Sequence, residues 1–309
     1  MHRMSKFFVF YLRSMKDTTL IVLAAWMGNR YGGLKQIDSF WPTGETIIDY
    51  SVYDAIAAGF TKIVYVIRES FEEQFREKVI QKLPTSVQVE IVFQPLEIER
   101  DWIDFPPRQK PRWVVHALVE CIWVVHEPFA VINADDYYGR SGYATMIEFL
   151  QNFVHENAGA LVGYDLLQTV SSHGTVNRWL CEVKHKKLLA VEEWYGIHRE
   201  WVSLVDKNGV LVPQKKLASM NFRWFHHSFL EKAAIHFEKF IEKNSSNPTA
   251  EYVIPDVVDE LIKNDMYDCH VLATPDKWVW VTNPEDKKSV VDTFVTLIKD
   301  WVYTSPLWK

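Results

Sequence analysis

Two groups of residues in this 309-residue chain could do chemistry. The first is Arg30 and Lys35, cations on a short loop that also carries Gly28, Asn29, Gly32 and Gly33. Arginine offers a planar fork of donors, lysine a point charge, and glycines let backbone N–H groups approach an anion; together they suit phosphate. The second is Asp135 and Asp136, which follow the apolar run FAVIN at 129–133. Adjacent carboxylates at the end of a buried strand are costly unless a cation compensates. A hard divalent ion such as Mg2+, held by one or two carboxylates and by substrate phosphates, does so. Neighbours on a strand alternate in direction, so one aspartate is expected to face the ion and the other to face away.

Both groups sit where a strand is expected to end. Apolar runs at 19–25, 62–68, 87–94 and 129–136 read as strands and alternate with helical patterns at 46–60, 70–83, 112–126 and 144–157. Ser70 with Glu73 reads as a capping box, and Gly59 as a helix stop. Further strands are expected at 160–166, 181–193 (a hairpin-like pair), 219–226, 269–275 and 277–283, with helices at 227–244, 252–265 and 284–302. This alternation predicts an α/β fold: three layers, α/β/α, around a mostly parallel mixed sheet of Rossmann-like type. Ligands of such sheets bind at the carboxyl ends of strands, so the glycine loop and the aspartates are expected to share one site. One domain is expected over 18–309, with 1–17 as an N-terminal extension.

Composition narrows the function classes. A net charge of −6 argues against a nucleic-acid binder, and no apolar run approaches a membrane span. Cys121, Cys181 and Cys269 lie far apart without a CxxC, as reduced core thiols of a cytoplasmic protein would. The tail WVYTSPLW at 301–308 either docks on a second copy, making a homo-oligomer, or packs on its own domain. Tryptophan is abundant at 13 and glycine scarce at 12, where average usage of about 7% would give roughly 20.

The conjunction of LAAxMGNRYGGLKQID, ETIIDYSVYDAIAAGF, FAVINADDYYG and TPDKW resembles the sugar-phosphate nucleotidyltransferases of NDP-sugar pyrophosphorylase type, over about residues 18–309. The resemblance implies a Rossmann-like nucleotidyltransferase that uses Mg2+. A sugar 1-phosphate oxygen attacks the α-phosphate of an NTP, giving an NDP-sugar and pyrophosphate. It implies that Arg30 holds the leaving phosphates and Lys35 the phosphate under attack. Ala24, Ala25, Gly28, Asn29, Gly32 and Gly33 would line the nucleotide, and Trp113 and His116 fall in the segment that reads the base. Trp179, Glu193 and Asn221 fall where relatives hold the sugar, and Asp135 or Asp136 would carry Mg2+. Two alternatives stay open: a non-catalytic homologue that senses nucleotide or sugar, and a cytidylyltransferase acting on a non-sugar phosphate.

The departures from the resemblance are of one kind. Tryptophan stands at 26, 41, 113, 179, 224, 280 and 301 where the pattern implies glycine, and arginine at 112 and 223 where it implies tryptophan. A late-strand metal carboxylate is also missing, and Asp276 is the nearest substitute. A gene whose UGA codons stand for glycine, translated as if UGA meant tryptophan, produces the first set. A CGG or CGA codon for tryptophan, translated as arginine, produces the second. An inactive homologue and an enzyme with rebuilt pockets are the other accounts.

Overall fold

The computed structural model describes residues 17–25, 44–96, 98, 113–153, 155–171, 174–247, 250–280 and 286–308. The predicted phosphate loop, with Gly28, Asn29, Arg30, Gly32, Gly33 and Lys35, lies outside them, as do Trp26, Trp41, Arg112 and residues 1–16.

Four apolar runs form a parallel half-sheet. β1 (Thr19–Leu23), β2 (Lys62–Ile67), β3 (Gln88–Phe93) and β4 (Phe129–Asn133) lie in the order β3-β2-β1-β4. β1 and β2 are buried along their whole length, as continuous β-branched runs between two helical layers should be.

Beyond β4 the sheet changes character. β10 (Leu217–Phe225) runs antiparallel between β4 and β6 (Ala158–Asp165), and β11 (Asp268–Ala273) is parallel to β6. A long hairpin of β7 (Val176–Lys184) and β8 (Lys187–Glu200), with β9 (Ser203–Val205), completes it. The sheet is therefore mixed rather than mostly parallel. The strand–helix alternation behind the parallel expectation stops at β7, and strands joined by two-residue turns must pair antiparallel. β5 (Asp136–Tyr137) and β12 (Val279–Trp280) form a separate two-stranded ribbon.

Helices cover both faces, so the three-layer expectation holds. One core cluster joins the sheet to α1 (Ile47–Ala58), α2 (Glu72–Lys78) and α4 (Arg140–Asn152); the other joins it to α3 (Val114–Val119), α5 (Ser228–Asn244) and α6 (Ile254–Lys263). A third, smaller cluster holds α7 (Asp286–Lys299) and the C-terminal tail against α1. The tail thus packs on its own domain. Leu307 N–H donates to Glu45 and Trp308 Nε1 to Asp49.

Local signals decide some helix ends and not others. Thr46 and Asp49 form a reciprocal capping box on α1, and Gly59 at φ 116° takes the left-handed stop that glycine permits. The box expected at Ser70 does not form. Ser70 lies inside a 3₁₀ turn, Glu69–Phe71, and α2 begins after it without a side-chain cap. The helix expected over 144–157 instead begins at Arg140, because Asp276 reaches across 135 residues to accept from Ser141 N–H and Oγ.

Candidate active site

The carboxyl ends of the four parallel strands line up. Leu23 on β1 pairs in register with Val66 on β2 and Asn133 on β4. Ala24 N–H continues the ladder to Val66 O, and Ala134 N–H to Leu23 O. The chain that enters the predicted phosphate loop thus leaves β1 beside the chain that enters Asp135 and Asp136. Ala24 and Ala25 are buried at that junction.

The strand expected over 129–136 ends at Asn133; Asp135 lies in a turn and Asp136 opens β5, so the directions of the two aspartates are not set by strand alternation. Asp136 turns inward, accepting from Asn133 Nδ2 at 2.9 Å and Tyr138 Oη at 3.1 Å. Burial, and then the charge of Asp135, push its carboxyl up to about 8, against those hydrogen bonds and Arg178. Asp135 is half-buried. Among the described residues no three His, Cys, Asp or Glu side chains gather into a metal cluster. Asp276, the nearest substitute for the late-strand carboxylate, accepts from Ser141 N–H and Oγ. The donor set still suits Mg2+: two carboxylates just past a strand end, with the remaining ligands left to phosphate and water.

The face shared by Leu23, Ala25, Val66, Val92 and Val131 lies toward α3 and α5. Alternation from these residues carries Arg68 and Gln94, each one residue past its strand, to the same side. Arg68 and Gln94 were not foreseen as site residues, because nothing in their local sequence marks them. Gln94 is fully buried just after β3 and donates to Trp113 O at 2.9 Å, while its amide oxygen has no partner. Arg68 follows β2, half-buried over the Phe71 ring at 4.1 Å, with its Nε buried and unpartnered. A buried polar atom without a partner needs an explanation, and a strand-end ligand supplies one.

Trp113 and His116 are buried against α5 rather than open. The Trp113 indole donates to Ala250 O at 2.7 Å and packs edge-on to Phe237 and Phe240. His116 stacks on Phe237 and pairs with Glu120 at 2.8 Å.

The three residues of the expected sugar region come together on adjacent strands. Trp179 on β7 pairs with Glu193 on β8 and Ser219 on β10, so these side chains share one face. Two residues on, Asn221 occupies the break in register of β10 at φ 64°, a backbone region that asparagine tolerates better than most residues. Trp179, Glu193 and Asn221 are all half-buried, and Glu193 accepts from Tyr195 Oη at 2.6 Å.

This succession of strands is shared with solved structures. The inositol-1-phosphate CTP transferase from T. maritima superposes with a TM-score of 0.60, covering 92% of this chain and 97% of its own, at 13% identity. The chain shares the fold of that transferase. A structure named as a glucose-1-phosphate thymidylyltransferase from Bacillus anthracis, in complex with a sucrose, covers 89% of this chain and 94% of its own, at TM-score 0.58 and 12% identity. No protein-family model matches the sequence, and no curated protein matches it. At such identities the likeness is one of fold, and the site must be argued from its residues.

Proposed function

We propose that the protein is a nucleotidyltransferase that joins an NTP and a sugar 1-phosphate into an NDP-sugar and pyrophosphate. The observation that supports this reading is the register of Leu23 with Asn133, by which β1 and β4 end side by side, the one preceding the cationic glycine segment and the other the two aspartates in sequence. Arg30 and Lys35 would neutralise the triphosphate from one side, Arg30 on the leaving phosphates and Lys35 on the phosphate under attack. Gly28, Asn29, Gly32 and Gly33 would let backbone donors approach it. Asp135 would hold Mg2+, with Asp136 oriented behind it by Asn133 and Tyr138. Bound there, Mg2+ would screen the phosphate charge that builds up during in-line displacement. Glu193 would accept from sugar hydroxyls, and Trp179 and Asn221 would bound the sugar. Catalysis of this kind is positioning and charge neutralisation, and needs no covalent intermediate.

The test is pyrophosphate release from a panel of NTPs and phosphorylated acceptors with Mg2+, including CTP with inositol 1-phosphate to cover a non-sugar acceptor. Release that Asp135→Asn reduces at least about a hundredfold supports the proposal; none from any pair refutes it. A second reading, a sensor without turnover, is favoured by the burial of Trp113 and His116, which leaves neither ring open to a base. It predicts no release, but a rise in melting temperature with nucleotide.

A further inference from the structure

Six described residues other than glycine have positive φ: His185, Lys186, Trp201, Asn221, Asp265 and Trp301. Four have ordinary reasons. His185 and Lys186 form the two-residue turn between Lys184 and Lys187, which needs positive φ at both. Asn221 and Asp265 are of the types that tolerate this region. A bulky aromatic is not, yet both tryptophans stand where turn geometry asks for glycine.

Trp301 follows α7 in a Schellman arrangement. Its N–H donates to Ile298 O at 3.1 Å, and Val302 N–H donates to Leu297 O at 2.9 Å. That bond pair places residue 301 at the left-handed stop position, where glycine dominates. Trp201, at φ 56°, is the first residue of the two-residue turn between Glu200 and Ser203, paired ends of β8 and β9. Hairpin turns of this form want glycine there. Neither indole offsets the misfit by packing, since Trp201 is 94% exposed and Trp301 90%. A reverse mismatch lies inside. Arg223 is fully buried, with Nε and Nη1 unpartnered and, among the described residues, Ser219 Oγ alone accepting from it. The next residue, Trp224, is equally buried, and its indole N–H has no partner.

We infer that the codons for positions 201 and 301 are read as glycine in the cell that makes this protein, so that its working form has glycine where tryptophan is written. A UGA codon assigned to glycine and translated as tryptophan yields this mismatch at both places. It also accounts for tryptophan outnumbering glycine in the whole chain. The inference stands on backbone conformation and is independent of nucleotidyl transfer.

Two measurements test it, neither of which reads activity. The full chain is prepared as written and with Trp201→Gly, Trp301→Gly, Trp201→Ala and Trp301→Ala. Each glycine variant is expected to melt at least about 2 °C above both the parent and its alanine counterpart, because alanine removes the indole but keeps the Cβ. Glycine variants no more stable than the alanine ones would overturn the inference. The gene is then read, and peptides spanning both positions are weighed from protein purified from its native cell. UGA codons and glycine masses are expected; UGG at either position, or a tryptophan mass, would overturn the inference.

Discussion

Tyr303 donates a 2.5 Å hydrogen bond from its phenol to Oδ2 of Asp54, across 249 residues of sequence. Tyr137 shares the same phenol at 2.7 Å, and the rings of Tyr50 and Phe294 close the cluster. The contact fastens the C-terminal tail to α1, the helix that follows the predicted phosphate loop. Tyr303→Phe should leave a buried carboxylate short of a donor and cost about 1–3 kcal/mol. Urea unfolding of the parent and the variant measures this directly.

Asp54 also sets a pH dependence. Burial pushes its carboxyl up to about 7; Tyr303 and Arg140 draw it down, and Asp276 pushes it further up. The folded state thus keeps a proton that the unfolded chain releases near pH 4. Stability from this group is complete below pH 4 and falls as pH rises toward 7, by at most about 1.4 kcal/mol per pH unit, then levels off. Asp54→Asn should flatten the curve of unfolding midpoint against pH over that window. A variant as steep as the parent would place the proton elsewhere.

Arg223 is expected to be destabilising as it stands. Burial alone pulls the affinity of its guanidinium for a proton down, and no carboxylate among the described residues pairs with it. Arg223→Met should raise unfolding free energy by about 1–4 kcal/mol, since a flexible apolar chain fills the space without a charge to desolvate. A loss of stability would mean that the guanidinium has a partner in solution.

Arg68 should contribute to nucleotide binding without contributing to the fold. Its side chain is half-buried and stacks on Phe71, and no salt bridge among the described residues holds it. Arg68→Ala is expected to weaken NTP binding about tenfold, equivalent to ~1.4 kcal/mol, with little change in melting temperature. Calorimetric titration of the parent and the variant with one NTP gives the ratio. Equal affinities would remove Arg68 from the site.

Much of this architecture was legible along the chain, because burial on two faces leaves a direct trace. The strands expected at 19–25, 62–68 and 129–136 open on apolar runs without alternation, and these runs became the central parallel strands, the last ending at Asn133. The Gly59 stop is local geometry and formed where the residue indicated, whereas the Thr46–Asp49 box was not read from the sequence. The antiparallel entry of β10 left no such trace, since pairing direction depends on what the chain does between strands. The start of α4 was illegible for a like reason, its cap being Asp276, distant in sequence.

The sequence by itself determined that Asp135 and Asp136 come just after a buried strand, though not that a turn after Asn133 separates them from it. Tertiary structure alone decided which one turns inward, because Asn133 and Tyr138 happen to present donors to Asp136. It also decided that Arg68 and Gln94 share that strand-end face, since parallel register, and not spacing along the chain, makes neighbours of residues on separate strands. Tryptophan at 201 could be read from the sequence as mere composition, and at 301 only as a departure from a resemblance. Only the backbone, left-handed at both, shows that these places were shaped for a residue without a side chain.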